Sequence, residues 1–407
     1  MIPNRALPLA ATLLITATTL GAQSGPCRWT GRYEVQVAAG SQTIPGRLEL
    51  GCLDGKHWGR LALVLRDSLI GAMYESGTTG DTIDFRMGGG LSGFRLVPGA
   101  DTSRGVVMVG RPFPITAVRV GPVDPSLEAH SALHPWDGVA TDPDSGLSYP
   151  VAVDGETMVF TQHGRRLTRQ RLMVASKGAT GWTVRPLTTP ADDAASERGP
   201  ALLPGGRGIV FATTRRLEGD TAVSSRFRLF TIERRGHGWS EPEPFAAAAS
   251  IAGDGAQQPA VTQDGALYFS SDRPEGLGGR DIYRLDPGAA APVALGGPTS
   301  SAGDEHGAWV SAEGDLMLVA GGGGRTATHG GDDLYWSERT AEGWSEPRLL
   351  PVPINSFGNE YGASLSADRR TLWLTSDRFG IARLYRVDLA AHGVTLPAAP
   401  RQGGSHR

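Results

Sequence analysis

Apolar and polar residues alternate with a period of two along most of the chain, in short runs cut by Gly, Pro, Asp and Asn. Alternation of this kind predicts strands with one buried face. Between Cys27 and Val120 the runs are RYEVQVAA, GRLELGCL, WGRLALVL, LIGAMYES, DTIDFRM, LSGFRLV and RGVVMVG. Seven short strands so closely spaced predict a small antiparallel barrel or sandwich over residues 25–122. Trp29 and Tyr33, on either side of Gly31, are placed to plug one end of it or to meet an apolar ligand. Residues 123–147, containing VDPSLEAHSALHPWDG, read as a linker. His130, His134 and Asp137 lie close together in it, but without the paired spacing of a zinc site, so no metal is expected.

From Ser148 onward the pattern repeats, with five copies of one order of events. The first strands are SYPVAVDGETMVFTQ, RGPALLPGGRGIVFAT, QQPAVTQDGALYFSSD, EHGAWVSAEGDLMLVAG and EYGASLSADRRTLWLTSD, which align Pro150, Pro200 and Pro259 with Gly307 and Gly362. A third strand follows in each copy (RQRLMVAS, RFRLFTIE, RDIYRLD, DDLYWSE, ARLYRVDL), and Gly-Trp introduces a fourth at Trp182, Trp239 and Trp344. A unit of roughly 50 residues with four strands is the blade of a β-propeller. The spelling suits that geometry. Small residues at Ala152, Ala201, Ala260, Ala308 and Ala363 fit the crowded centre, and Asp154-Gly155, Gly205-Gly206, Asp264-Gly265 and Glu313-Gly314 suit two-residue hairpins. The fifth copy has Asp368-Arg369 instead. The fold class is therefore all-β. A propeller of five blades spans residues 148–396, or six if residues 123–147 add a degenerate one, and 397–407 form a disordered tail.

Of the 407 residues 40% are hydrophobic and 20% charged, with a net charge of -3, so the basic stripe of a nucleic-acid surface is missing. Residues 1–22 have the shape of a signal peptide: Arg5, an apolar run from Ala6 to Leu20, then Gly21 and Ala22 before the cut. The expected location is periplasmic or secreted, with no membrane span in the mature chain. In that setting the two cysteines, Cys27 and Cys52, are expected to form one disulfide.

The stretch PAVTQDGALYFSSDRPEGLGGRDIYRLD and the join GWSEPRLLPVPINSFGNEYGASLSADRRTLWLTSDR resemble the TolB-like class of propeller repeats of exported bacterial proteins, over about residues 148–390. The resemblance implies a propeller fold and says little of activity. The glycines of PEGLGGRDIY lack the strand-to-helix setting of a phosphate loop, and GGGGRTATHGGDDLY fills the same place in the fourth unit. The loop reads as a turn, with Asp281 and Asp333 bracing backbone amides. DPDSG at Asp142 lacks the later ligands of a calcium loop, and GGLSGF is not a nucleophile elbow. No cofactor is expected.

Residues just before each first strand are expected at the tunnel mouth. They are Tyr149, Gln258, Glu305, His306, Glu360 and Tyr361, beside Asp304 and Asn359, with Gln258, Glu305, His306, Glu360 and Tyr361 as the ligand-binding set. Glu305 and Glu360 recur at one offset, which suits a bond to each blade's own turn. The same two carboxylates are also what glycoside cleavage needs. The reading is an exported, non-enzymatic binding or scaffold protein whose propeller face recognises a protein, peptide or cell-envelope glycan. The alternative is a carbohydrate-active hydrolase with an acidic site at the mouth.

Overall fold

The computed structural model describes residues 28–400, except 54–55, 64–68, 80–81, 88–92, 98, 100–101, 110, 141, 143–144, 165–166, 189–194, 218, 220–223, 225, 237, 252–254, 323 and 326–327. The expected signal peptide and most of the expected tail lie outside the described residues. So does Cys27; Cys52 is disulfide-bonded.

Eight antiparallel strands, from Gly31–Ala39 to Arg111–Gly121, form a closed barrel in which the last pairs back to the first. The structure thus has a barrel, not a sandwich, and one strand more than the alternation predicts. The extra strand carries Pro112 and Pro114, which lie ahead of Ile115, where pairing with the first strand begins. Their missing N–H groups therefore fall where the strand is paired on one side only. Tyr33, Val35 and Val37 of the first strand join Leu48, Leu61 and Phe85 in a filled interior. Trp29 packs against that core, and Tyr33 donates its hydroxyl to the Trp29 carbonyl at 2.6 Å.

The rest of the described chain is a propeller of five blades. Their innermost strands are Gly146–Asp154, Glu197–Leu202, Gln257–Val261, Glu305–Val310 and Glu360–Leu365. Second strands such as Gly208–Thr213 and Leu316–Gly321 are buried at every position, because both their faces meet neighbouring sheets. Each innermost strand breaks register near its start, around one residue in the left-handed region: Tyr149 (φ 55), Gly199 (φ 59), Gln258 (φ 49), Gly307 (φ 64) and Gly362 (φ 58). This corrects the alignment by prolines. The residue before Pro150, Pro200 and Pro259 is the counterpart of Gly307 and Gly362, since Pro cannot take a positive φ.

The fifth blade has only three strands of its own, ending in Arg383–Asp388. In the other four blades, Leu187, Phe245, Leu295 and Leu350 donate a backbone N–H to the third strand, at Leu172, Leu229, Ile282 and Leu334. In the fifth blade the donor is Trp136, to the Leu384 carbonyl at 2.7 Å. Residues expected as a linker, or as a sixth blade, thus complete the fifth. The Trp136 ring sits edge-on to Trp182 of blade 1 at 5.0 Å and to Trp373 of blade 5 at 5.1 Å, so this side chain bridges the closing seam, beside backbone bonds such as Leu147 N–H to the Ala382 carbonyl.

The same segment carries a short α-helix, Pro125–His130, between the barrel and the first blade. Trp58 of the barrel stacks on Phe357, with centroids 5.6 Å apart, and meets Phe379 edge-on. No helix among the described residues is long and apolar enough to cross a membrane. Replacing Trp136 by Ala should empty the seam between blades 1 and 5 and cost about 3 kcal/mol, read as a lower urea midpoint for the propeller.

Candidate functional site

The innermost strands enclose a cavity of about 970 Å³. Trp136, Trp182, Trp309 and Trp373 give it aromatic wall, and Lys177, Arg369, Arg386, Asp154 and Glu313 bring charge to its lining. It runs from the left-handed positions to the hairpins that end the innermost strands, including Gly205-Gly206 and Glu313. Arg369 there has φ 57, the angle that Gly206, Gly265 and Gly314 take in other blades. Its guanidinium bonds both Asp315 oxygens, at 2.5 and 3.0 Å, and the Pro397 carbonyl at 3.0 Å. A cross-blade ion pair thus holds a backbone angle that glycine would adopt freely.

The floor of this funnel is a plug. Gln258 of blade 3 donates its amide to the Tyr149 hydroxyl of blade 1 at 2.6 Å, and Ser270 donates to Gln258 Oε1 at 2.9 Å. The other three blades have glycine at this position, which makes room. A Cβ at Gly362 would lie 2.6 Å from the Tyr149 ring, and one at Gly307 would lie 3.1 Å from the Gln258 side chain. Two large side chains in left-handed backbone cost on the order of 1–2 kcal/mol each. The Thr375 hydroxyl steadies the first by accepting the Tyr149 N–H at 2.8 Å.

Of the five expected ligand residues, only Gln258 lines the funnel. His306 and Tyr361 precede the plug positions and lie on its far side. Glu305 and Glu360 point into their own blades and have no exposed surface. Ser301 donates its N–H and hydroxyl to Glu305, at 3.0 and 2.6 Å, and Ser356 does the same to Glu360, at 2.7 and 2.6 Å. The Ser376 hydroxyl also donates to Glu360. An arginine of the same blade faces each carboxylate: Arg325 at 3.3 Å from Glu305 and Arg378 at 3.3 Å from Glu360. Glu197 of blade 2 is a third copy, 2.6 Å from Arg215. These carboxylates are braces. Burial holds the Glu305 carboxyl above its usual range, against the bonds from Ser301.

The second-to-third-strand loops are braced similarly. Gly278 donates to Asp281 at 3.1 Å, and His329 and Gly330 donate to Asp333 at 2.6 and 3.2 Å. A Cβ at Gly276 would lie 2.0 Å from the Asp281 carboxylate, so close packing explains that glycine without a phosphate. Asn355, in the loop that leaves blade 4, holds that loop to its own blade by donating to the Leu334 and Leu350 carbonyls, at 2.9 and 2.8 Å. Burial pushes Asp333 up to about 7 and Asp377 up to about 6, and pulls His130, which packs on Phe357 and His329, down to about 4.

No family model matches the sequence, and no curated protein matches it. Solved structures do. A puromycin-hydrolyzing peptidase of Mycobacterium tuberculosis is 14% identical with a TM-score of 0.33, over 84% of this chain and 57% of that one. A putative TolB from Agrobacterium tumefaciens is 11% identical with a TM-score of 0.31, over 79% of this chain and 89% of that one. A Trypanosoma rangeli sialidase in complex with sialic acid is 11% identical with a TM-score of 0.31, over 84% of this chain and 54% of that one. The chain spans little more than half the length of the peptidase and of the sialidase. Likenesses this distant carry no argument about what it does.

Glu360→Gln should leave the Arg378 cation buried without its carboxylate and cost about 3–5 kcal/mol, measured by chemical unfolding. Asp333 keeps its proton up to about 7 in the folded chain, whereas an unfolded aspartate releases it near about 4. Rising pH through that window therefore lowers stability through this group. Asp333→Asn should remove that slope, so urea midpoints should show the variant gaining on the parent as pH rises from about 4 to about 7.

Proposed function

We propose that the chain is an exported, non-enzymatic binding protein whose propeller takes a peptide or cell-envelope glycan segment into the funnel. The observation that carries this reading is a cavity of about 970 Å³ with tryptophan in its walls and a hydrogen-bonded floor. It is open to a ligand end but not to threading. Tryptophan offers flat apolar area to a sugar face or an apolar side chain, and the charged groups of the lining offer orientation. Export, a periplasmic or secreted location and an envelope partner rest on the leader-like residues 1–22. The hydrolase alternative gains nothing from the geometry, because Glu305 and Glu360 are each committed to a serine and an arginine of their own blade.

The test is titration of the mature chain with soluble peptidoglycan fragments and, separately, with short apolar peptides, following tryptophan fluorescence. One series should saturate, and Trp309→Ala, measured at a temperature where the variant is still fully folded despite its lost core packing, should weaken it by about tenfold. No saturable signal in either series, or equal affinity in the variant, would overturn the reading.

A further inference from the structure

On the side of the plug away from the funnel, the residue preceding each left-handed position recurs once per blade: Ser148, Arg198, Gln257, His306 and Tyr361. In three adjacent blades this residue has a buried polar atom with no partner: Ser148 Oγ, Arg198 Nε and Gln257 Oε1. Native proteins satisfy nearly all such atoms. Three unsatisfied atoms at equivalent positions mark a place where an outside group belongs.

Arg198 is the strongest of them. Its guanidinium lies over the Phe227 ring at 4.5 Å and has no hydrogen bond or ion pair among the described residues. A Cβ at Gly199, the next residue, would lie 3.3 Å from Gln258, which sets Arg198 beside the plug. Burial pulls the Arg198 pKa down, the nearby Arg280 charge adds to this, and the Tyr149 and Tyr361 hydroxyls oppose it. Arg280 also has a buried Nε without a partner. Its Nη1 lies 3.2 Å from His306 Nδ1, and His306 Nε2 lies 3.5 Å from Asp332. His306 thus stands between the Arg280 guanidinium and Asp332, and no carboxylate bonds that guanidinium directly among the described residues. The two half-buried cations are close enough for the Arg280 charge to act on Arg198, and neither has an ion pair with a carboxylate among the described residues.

We infer that Arg198 and Arg280 form a carboxylate-binding site at the mouth of the plugged tunnel opposite the funnel. Paired guanidinium forks match the two oxygens of a carboxylate. Asp332 reaches the same place through His306, and its charge makes a doubly charged phosphate a poorer guest than a singly charged carboxylate. A carboxylate would compensate the Arg198 charge, and the Tyr149 and Tyr361 rings, 5.4 Å apart, would flank the carbon it is attached to. The site lies across the plug from the funnel and stands or falls independently of what the funnel binds.

The experiment uses the mature chain and calorimetric titration with N-acetyl-Ala-Ala as the free acid, the same dipeptide as its amide, and glucuronate. The free acid should bind and the amide should bind at least about tenfold more weakly, because only the acid carries the charge for the two forks. Arg198→Gln and Arg280→Gln should each weaken the acid by about tenfold or more, with Arg198→Lys between them and the parent. Arg198→Gln should also raise the thermal midpoint, since it removes an uncompensated buried charge, whereas loss of a structural arginine would lower it. Binding of glucuronate in place of the dipeptide, with the same dependence on Arg198, supports the site with a sugar acid as its source. Equal binding of acid and amide, no binding of either acid at millimolar concentration, or unchanged acid affinity in Arg198→Gln would overturn it.

Discussion

Arg378 and Glu360 meet where five elements of the molecule converge, and neither has any surface in water. The guanidinium donates to Ser376 Oγ at 3.0 Å, to the carbonyls of Pro353 and Ile354 at 2.7 Å each, to the His130 carbonyl at 3.3 Å, and to Glu360. Its face lies over the Tyr385 ring at 4.8 Å. One cation therefore joins the second and third strands of blade 5, the loop arriving from blade 4, the innermost strand of blade 5 and the helix that leads out of the barrel. A buried ion pair brings little net stability over a well-packed apolar alternative. What it brings here is direction: carbonyls pointing inward from several loops need one donor that reaches them all. The Phe357 ring that receives Trp58 sits in the same loop as Pro353 and Ile354, so the seat of the barrel depends on the same cation.

Copies of this acid–base pair recur at Glu197 and Glu305, and their absence elsewhere is informative. Blades 1 and 3 have Leu147 and Ala256 at the matching position. These are also the blades that supply Tyr149 and Gln258 to the plug. Blades with a glycine at the centre keep a rigid acid–base brace behind it, and blades with a large side chain at the centre do without. The funnel and the carboxylate mouth are two faces of that division of labour. One is walled by tryptophan, and the other is ringed by polar groups that the fold leaves partly unanswered.

The repeat was legible because its strands, hairpins and Gly-Trp joins recur at fixed offsets. The eighth barrel strand was not, because Pro112 and Pro114 contradict strand propensity where only one side is paired. Trp136 gave no sign of its role, since a single backbone bond to a residue far along the chain leaves no local pattern. Glu305 and Glu360 were legible as repeat equivalents but not as braces, although a clue was present. The matching arginines follow at nearly one spacing: Arg215 and Arg378 each 18 residues after their glutamate, and Arg325 after 20. Tyr149 and Gln258 stayed hidden for a physical reason. Glycine advertises a left-handed angle, whereas a tyrosine or glutamine forced into one looks like any other strand residue.

The bond from Trp136 to Leu384 also sets an order of events during synthesis. Trp136 leaves the ribosome before any blade exists, and its partner is in the last third strand to be made. Until then blade 1 has no neighbour on one flank, and Trp182 lacks the ring that packs between it and Trp373. A contact this distant in sequence is slow to form. The barrel, whose strands pair with their sequence neighbours apart from the closing pair, can finish first and hold the waiting segment at a fixed anchor. The propeller is then a clasp whose catch is made early and whose eye is made late.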